Sequence, residues 1–192
     1  MIPEPNQSGV LPPFHPGSTP ASRGAMAPYR VALIDVAQRF GNNETRKKIL
    51  TGLVSYRSLL RKEGISSGFQ WVDGSFVEQS ERVLGRPPGD VDIITFAARP
   101  ERYRDPAAWR EFILSRPDIF NPIQIKTQYL CDAYFVDLST NPIFLVNQTK
   151  YWFGLFSHQR ETFLWKGMLE VPIDEDDADV SAFLLKGGGD AA

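Results

Sequence analysis

An α/β (α+β) fold, with a small mixed β-sheet and helices packed mainly on one of its faces, is what the sequence predicts. Three observations lead there. Segments with helical periodicity alternate with short β-branched and aromatic runs. Hydrophobic residues make up 42 % of the 192 residues and charged ones 23 %, enough apolar material for a sizeable core. There is one cysteine, so an intrachain disulfide framework or a cysteine-rich zinc knuckle cannot supply the stability instead.

The elements follow in order. Residues 1–30 hold seven of the fifteen prolines, and proline removes donors and fixes φ, so they read as an extended, irregular arm. Val10, Leu11 and Phe14 are its means of attachment to the body. A short helix is expected near 30–40 on Val31, Ile34 and Val36. The clearest helix follows Asn42-Asn43, either of which can cap it. Ile49, Leu50, Leu53, Val54, Tyr56, Leu59 and Leu60 make its apolar face, and Gly64 is placed to end it. Arg46, Lys47, Lys48, Arg57, Arg61 and Lys62 fill the opposite side, which reads as a solvated face.

Gly68–Val72 reads as a strand running into Asp73-Gly74-Ser75-Phe76, with a short helical stretch over Val77–Leu84 and a turn at 85–89. Asp90–Phe96 is a β-branched run suited to a buried strand. Residues 105–116 are helical, with Asp105 as cap and Pro106 at the first position. Further strands are expected over Thr127–Leu138 and Gly167–Ile173. The domain therefore spans 31–173, and 174–192 reads as an acidic, flexible tail.

Charge supports that division. Residues 1–166 carry 20 Lys and Arg against 16 Asp and Glu, whereas 167–192 carry one lysine against seven acids. The tail reads as solubilising. With two histidines, a multi-histidine metal site is not expected. No apolar run reaches the ~18 residues of a membrane span, and the N-terminus has neither a basic start nor an apolar signal core. A cytoplasmic protein without membrane contact is the expectation.

The informative constellation is Gly74-Ser75, a spacer of fourteen residues, then Asp90-Val91-Asp92. Aspartates at i and i+2 on a strand project from one face. Two carboxylates held that close call for a cation, and Mg²⁺ with its oxygen ligands is the natural one. A glycine-containing turn beside them lets backbone N–H groups and the Ser75 hydroxyl approach phosphate oxygens. A third carboxylate would complete a two-metal site with ions ~3.5–4 Å apart. Asp132 and Asp137 are both available, but five residues apart they face opposite sides of a regular strand. Asp132, in the middle of its apolar run, is chosen, with Asp137 as the alternate.

Val72, Gly74-Ser75, Asp90/Asp92 and Asp132 together resemble the pattern of the polymerase-β-type nucleotidyltransferase superfamily: an apolar residue, Gly-Ser, a spacer, Asp-x-Asp and a later strand carboxylate. The chain is also similar, over most of its length, to a group of small bacterial nucleotidyltransferase-like proteins. That likeness lies in IPEPNQSGVLPP, RFGNNETRKKIL, QWVDGSFVE, PPGDVDIITF and KTQYLCDAYFVDL. The resemblance implies a minimal nucleotidyltransferase fold, metal bound by Asp90, Asp92 and Asp132, and a nucleoside triphosphate, ATP among them, held by Gly74 and Ser75.

The expected activity is Mg²⁺-dependent transfer of a nucleoside monophosphate from an NTP to an acceptor hydroxyl on an RNA end or a protein, in a toxin–antitoxin or phage-defence setting. The alternative is a catalytically inactive module that binds a protein partner or RNA. Other residues stand out less. Glu78 and Glu81 could orient metal-bound water but read first as exposed helix acids. Lys126 could reach a phosphate. Tyr151, Trp152, Phe153, Phe156, Phe163 and Trp165 read as core or partner surface before base-stacking groups. His158 reads as a hydrogen-bonded or surface histidine, and Cys131 as buried filler.

Overall fold

The computed structural model describes residues 1–19, 21–160, 162–175 and 177–186. Its five strands are β1 (Tyr29–Arg30), β2 (Gly68–Asp73), β3 (Val91–Ala97), β4 (Cys131–Asp137) and β5 (Leu169–Pro172). They form one mixed sheet in the order β1-β5-β2-β3-β4. β3 and β4 are parallel, β2 is antiparallel to both its neighbours, and β1 is parallel to β5.

One face of the sheet carries Val72, Ile93, Ala97, Ala133, Leu169 and Val171 into the main core. This face is covered by α1 (Leu33–Phe40), the long α2 (Glu44–Lys62), the run α4 (Pro106–Ser115), α5 (Pro117–Phe120) and α6 (Pro122–Tyr129), and α8 (Ala178–Lys186). Between β2 and β3 lies the short α3 (Ser80–Val83). On the opposite face Trp71, Ile94, Phe96 and Val136 pack with Trp152 and Phe156 of α7 (Pro142–Phe156) and with Met168. Helices are thus mainly on one side, as expected.

Local chemistry accounts for the boundaries. Asn43 caps α2 by accepting the Arg46 N–H, and Gly64 at φ +79° follows its end. Asp105 accepts the N–H groups of Ala107 and Ala108, with Pro106 opening α4. The same Asn-Pro device opens α6 at Asn121-Pro122 and α7 at Asn141-Pro142.

Four expectations are corrected. Residues 127–129 end α6 rather than begin a strand. The chain reverses at Leu130, whose φ is +56°, and β4 begins at Cys131. α7, over Pro142–Phe156, is a helix that the sequence pattern does not predict. The basic side of α2 is not uniformly solvated, since Arg46 and Arg57 are buried. Arg57 is ion-paired with Asp177 at 2.8 Å and donates to Gln70 and to the Pro172 carbonyl. Finally, within the expected flexible tail, 178–186 form α8, with Val180 buried. Positions 176 and 187–192 of that tail lie outside the described residues.

The N-terminal arm is irregular up to a turn of 3₁₀ helix at Arg23–Ala25, and it is well tied down. Val10 and Leu11 are buried, the Leu11 carbonyl accepts the Gly167 N–H, and the Gly9 carbonyl accepts the Gln79 N–H.

Candidate metal and phosphate site

Strand register builds the site. Asp73 lies opposite Asp92, and Asp92 opposite Asp132, so three acidic side chains stand in one row across β2, β3 and β4. Cross-strand neighbours share a face, here the α7 face. Asp90, two residues before Asp92, adds a fourth carboxylate where β3 begins. Asp90, Asp92 and Asp132 can each present an oxygen within 4.8 Å of the others, and all three are partly exposed. Asp137 lies at the far end of β4 in an ion pair with Arg99 at 2.7 Å, outside this group.

The electrostatics are those of crowded carboxylates. Desolvation, then repulsion from Asp90 and Asp132, pushes Asp92 up to about 6. Burial pushes Asp73 up to about 7 against the pull of Lys166, with Asp92 adding to the rise. Lys126, in the last turn of α6, reaches across to the group. Its ammonium bonds Asp90 and lies 3.6 Å from Asp132. The Asp90 hydrogen bond in turn raises the Lys126 pKa. Tyr134, two residues beyond Asp132 on the same face, packs against Trp152 with ring centroids 4.8 Å apart and the planes tilted by 42°.

Gly74 and Ser75 sit at the end of β2, directly beside the triad. Gly74 has φ +81°, and a Cβ there would fall 2.2 Å from Asp92 Oδ2. Only glycine permits both the backbone angle and the close approach. Ser75, partly exposed, begins a turn of 3₁₀ helix ending at Val77.

Two buried cations brace this turn. Lys166 bonds Asp73 at 3.0 Å and Glu78 at 2.8 Å, and so clips together the two ends of the segment that contains Gly74-Ser75. Burial works against the Lys166 ammonium, but Asp73 and Glu78 outweigh it and its pKa is raised. Gln159 donates to the other Glu78 oxygen at 3.0 Å. From the helical side, Arg46 donates to the carbonyls of Phe76 and Glu78 and pairs with Glu81. Glu78 is thus buried rather than an exposed helix acid, and Glu81 is occupied by Arg46.

Lys166 and Asp73 as a site pair escape sequence reading. The one available signal is a lone lysine and a lone aspartate at the ends of otherwise apolar strand segments, where an unpaired charge would be costly. Of the aromatic group, Trp152 and Phe156 are buried against the sheet, while Tyr151 and Phe163 are exposed. His158 Nδ1 lies 3.0 Å from the Ser157 hydroxyl and 3.1 Å from the Gly154 carbonyl, to which it can only donate.

The donor set suits a hard divalent cation. Three carboxylate groups converge, each offering an oxygen within 4.8 Å of the others, and their exposure leaves room for water ligands. Beside them, Asp73 Oδ1 is fully buried without a hydrogen-bond partner.

Compared with known protein families, residues 3–172 match DUF6932, a family of unknown function. The chain belongs to that family. The match covers the arm, all five strands and every site residue named above. No curated protein and no solved structure matches the chain. Among the described residues, no helix is long and apolar enough to cross a membrane.

Proposed function

We propose that this member of DUF6932 is a Mg²⁺-dependent nucleotidyltransferase, moving a nucleoside monophosphate from an NTP to an acceptor hydroxyl on an RNA end or a protein. The observation that carries the reading is the convergence of Asp90, Asp92 and Asp132 beside Gly74, where a Cβ would fall 2.2 Å from Asp92 Oδ2. Magnesium, when bound, supplies neutralisation of phosphate charge and activation of the acceptor oxygen.

The chain's own residues supply the rest. Asp90 and Asp92 hold the metal positions from one strand, and Asp132 from the next. Gly74 lets the backbone come close to a polyphosphate, and Ser75 offers its hydroxyl there. Lys166 and Arg46 keep that turn in one geometry, so that little ordering remains to be done when substrate arrives. In the reaction, the acceptor oxygen forms a bond to the α-phosphorus. The bond from that phosphorus to the α,β-bridging oxygen breaks, its electron pair leaving with pyrophosphate, and Asp132 takes up the acceptor proton.

Label transfer from each α-³²P-NTP into RNA and into protein, with Mg²⁺ present, tests this. The expected outcome is label that disappears in the Asp90→Asn/Asp92→Asn variant. Label that persists in the variant refutes the site. Absence of transfer from every NTP to RNA, protein and small hydroxyl acceptors favours the inactive binding module instead.

A further inference from the structure

Two lysines touch the acidic row, and they differ in kind. Lys166 is buried and locked between Asp73 and Glu78. Lys126 is half exposed, with 52 % of its side chain open to solvent, and its ammonium lies among the very carboxylates that would ligate metal. It arrives there because α6 ends at Tyr129 and the chain turns back through Leu130. The last helical turn is thereby set over the first residues of β4.

One ammonium among three carboxylates leaves an uncompensated negative charge, so the site still calls for a stronger cation. A divalent ion cannot share the position with that ammonium. Displacement costs little, since the side chain is a flexible stem with a compact charge, and a partly exposed ion pair is weak. Once displaced, the ammonium remains within one side-chain length of the triad, where the oxygens of a metal-bound polyphosphate would lie.

We propose that Lys126 is a built-in counter-ion of the triad that competes with a bare divalent cation and moves to phosphate when a metal–polyphosphate complex arrives. The inference rests on the metal and nucleotide reading of the site above. Its consequence is linkage: polyphosphate removes a competitor of the metal, and the metal releases a ligand for the polyphosphate, so each raises the affinity of the other by the same factor.

The test is calorimetric titration of the full chain and its Lys126→Met variant, which keeps the stem and removes the charge. The two probes are Mn²⁺ alone and a premixed Mn²⁺–inorganic tripolyphosphate complex. The variant is expected to bind Mn²⁺ alone about fivefold more tightly, the size set by a partly exposed ion pair, and the advantage of the complex over Mn²⁺ alone is expected to fall about fivefold. A folding defect would weaken Mn²⁺ binding and not tighten it. Unchanged or weaker Mn²⁺ binding in Lys126→Met overturns the competition, and an unchanged advantage of the complex over Mn²⁺ alone overturns the transfer to phosphate. In either case the site reading stands if Asp90→Asn abolishes Mn²⁺ binding. If wild-type chain binds no Mn²⁺, or binds it equally well as Asp90→Asn, the metal site falls and this proposal falls with it.

Discussion

At the scale of single residues, the site depends on groups that are not themselves in the triad. Arg46 is buried and donates five hydrogen bonds, to the Phe76 and Glu78 carbonyls, Ser80 and both Glu81 oxygens. Removing it strands the buried Phe76 and Glu78 carbonyls, and a buried acceptor left unsatisfied costs about 1–3 kcal/mol. Arg46→Met is therefore expected to lower urea-unfolding stability by that amount, and a loss below about 1 kcal/mol would show that the turn holds itself. Gly74 makes a sharper prediction. An alanine would combine strain at φ +81° with a Cβ 2.2 Å from Asp92 Oδ2, so Gly74→Ala should weaken Mn²⁺ binding about tenfold or more. Gly85 also has positive φ, at +67°, but a Cβ there meets nothing within 4 Å. Gly85→Ala is the control for a positive φ without a close contact, and it should leave Mn²⁺ affinity unchanged. Equal effects at the two glycines would mean that contact with Asp92 is not what matters.

At the scale of elements, what could be read from sequence was what neighbours in sequence determine. α2 and α4 were legible because cap, apolar stripe and stop all lie within one segment. The β2 and β3 runs were legible because their residue types suit a pleated surface. α7 was not, since its residues are apolar nearly all round: Trp152 and Phe156 pack on the sheet while Ile143, Phe144 and Val146 stay exposed, which blurs the periodicity. Its Asn141-Pro142 start was a readable signal, as was Asn121-Pro122 for α6. Thr127 and Tyr129 are β-prone side chains that suggest a strand, but the cap places them in the last turn of α6. α8 was hidden for a different reason. Asp177 looks like one more acid in an acidic run, and only the fold shows that it accepts from the buried Arg57 at 2.8 Å and from Arg61 at 2.8 Å. Asp177 thereby ties the start of α8 to α2. Asp177→Ala leaves Arg57 buried with a lost counter-ion, so a destabilisation of about 3–5 kcal/mol is expected. Thermal unfolding of that variant beside Asp179→Ala, in the same helix, checks it; equal small effects would return the segment to a solubilising role.

At the scale of the whole molecule, the acidic row sets an electrostatic strain whose sign can be worked out and measured without any substrate. In the metal-free chain Asp92 and Asp73 have native pKa values of about 6 and about 7, raised first by desolvation, against an ordinary aspartate value of 3.8. A group whose pKa is raised by folding binds its proton more readily in the native state. Its stabilising contribution is fully present below the unfolded value and is lost as pH rises through the folded one. Glu81 works the other way. Its hydrogen bond from Arg46 holds it down to about 2 from 4.5, so its contribution is present above 4.5 and is lost as pH falls toward 2. The two aspartate contributions fade from 3.8 upward while that of Glu81 is still growing up to 4.5, so the metal-free protein should melt highest near pH 4 and lower at about pH 8, where Asp73 and Asp92 are ionised. A divalent cation on Asp90, Asp92 and Asp132 compensates the charge that makes ionisation unfavourable, and protons compete with it for the same oxygens. Added Mn²⁺ should therefore raise the melting temperature more at about pH 8 than at about pH 5.5, and flatten the profile between them. A metal-free profile already flat over that range would mean that Asp73 and Asp92 are ionised without cost in the native protein, and a Mn²⁺ effect independent of pH would place the ion away from the carboxylate row.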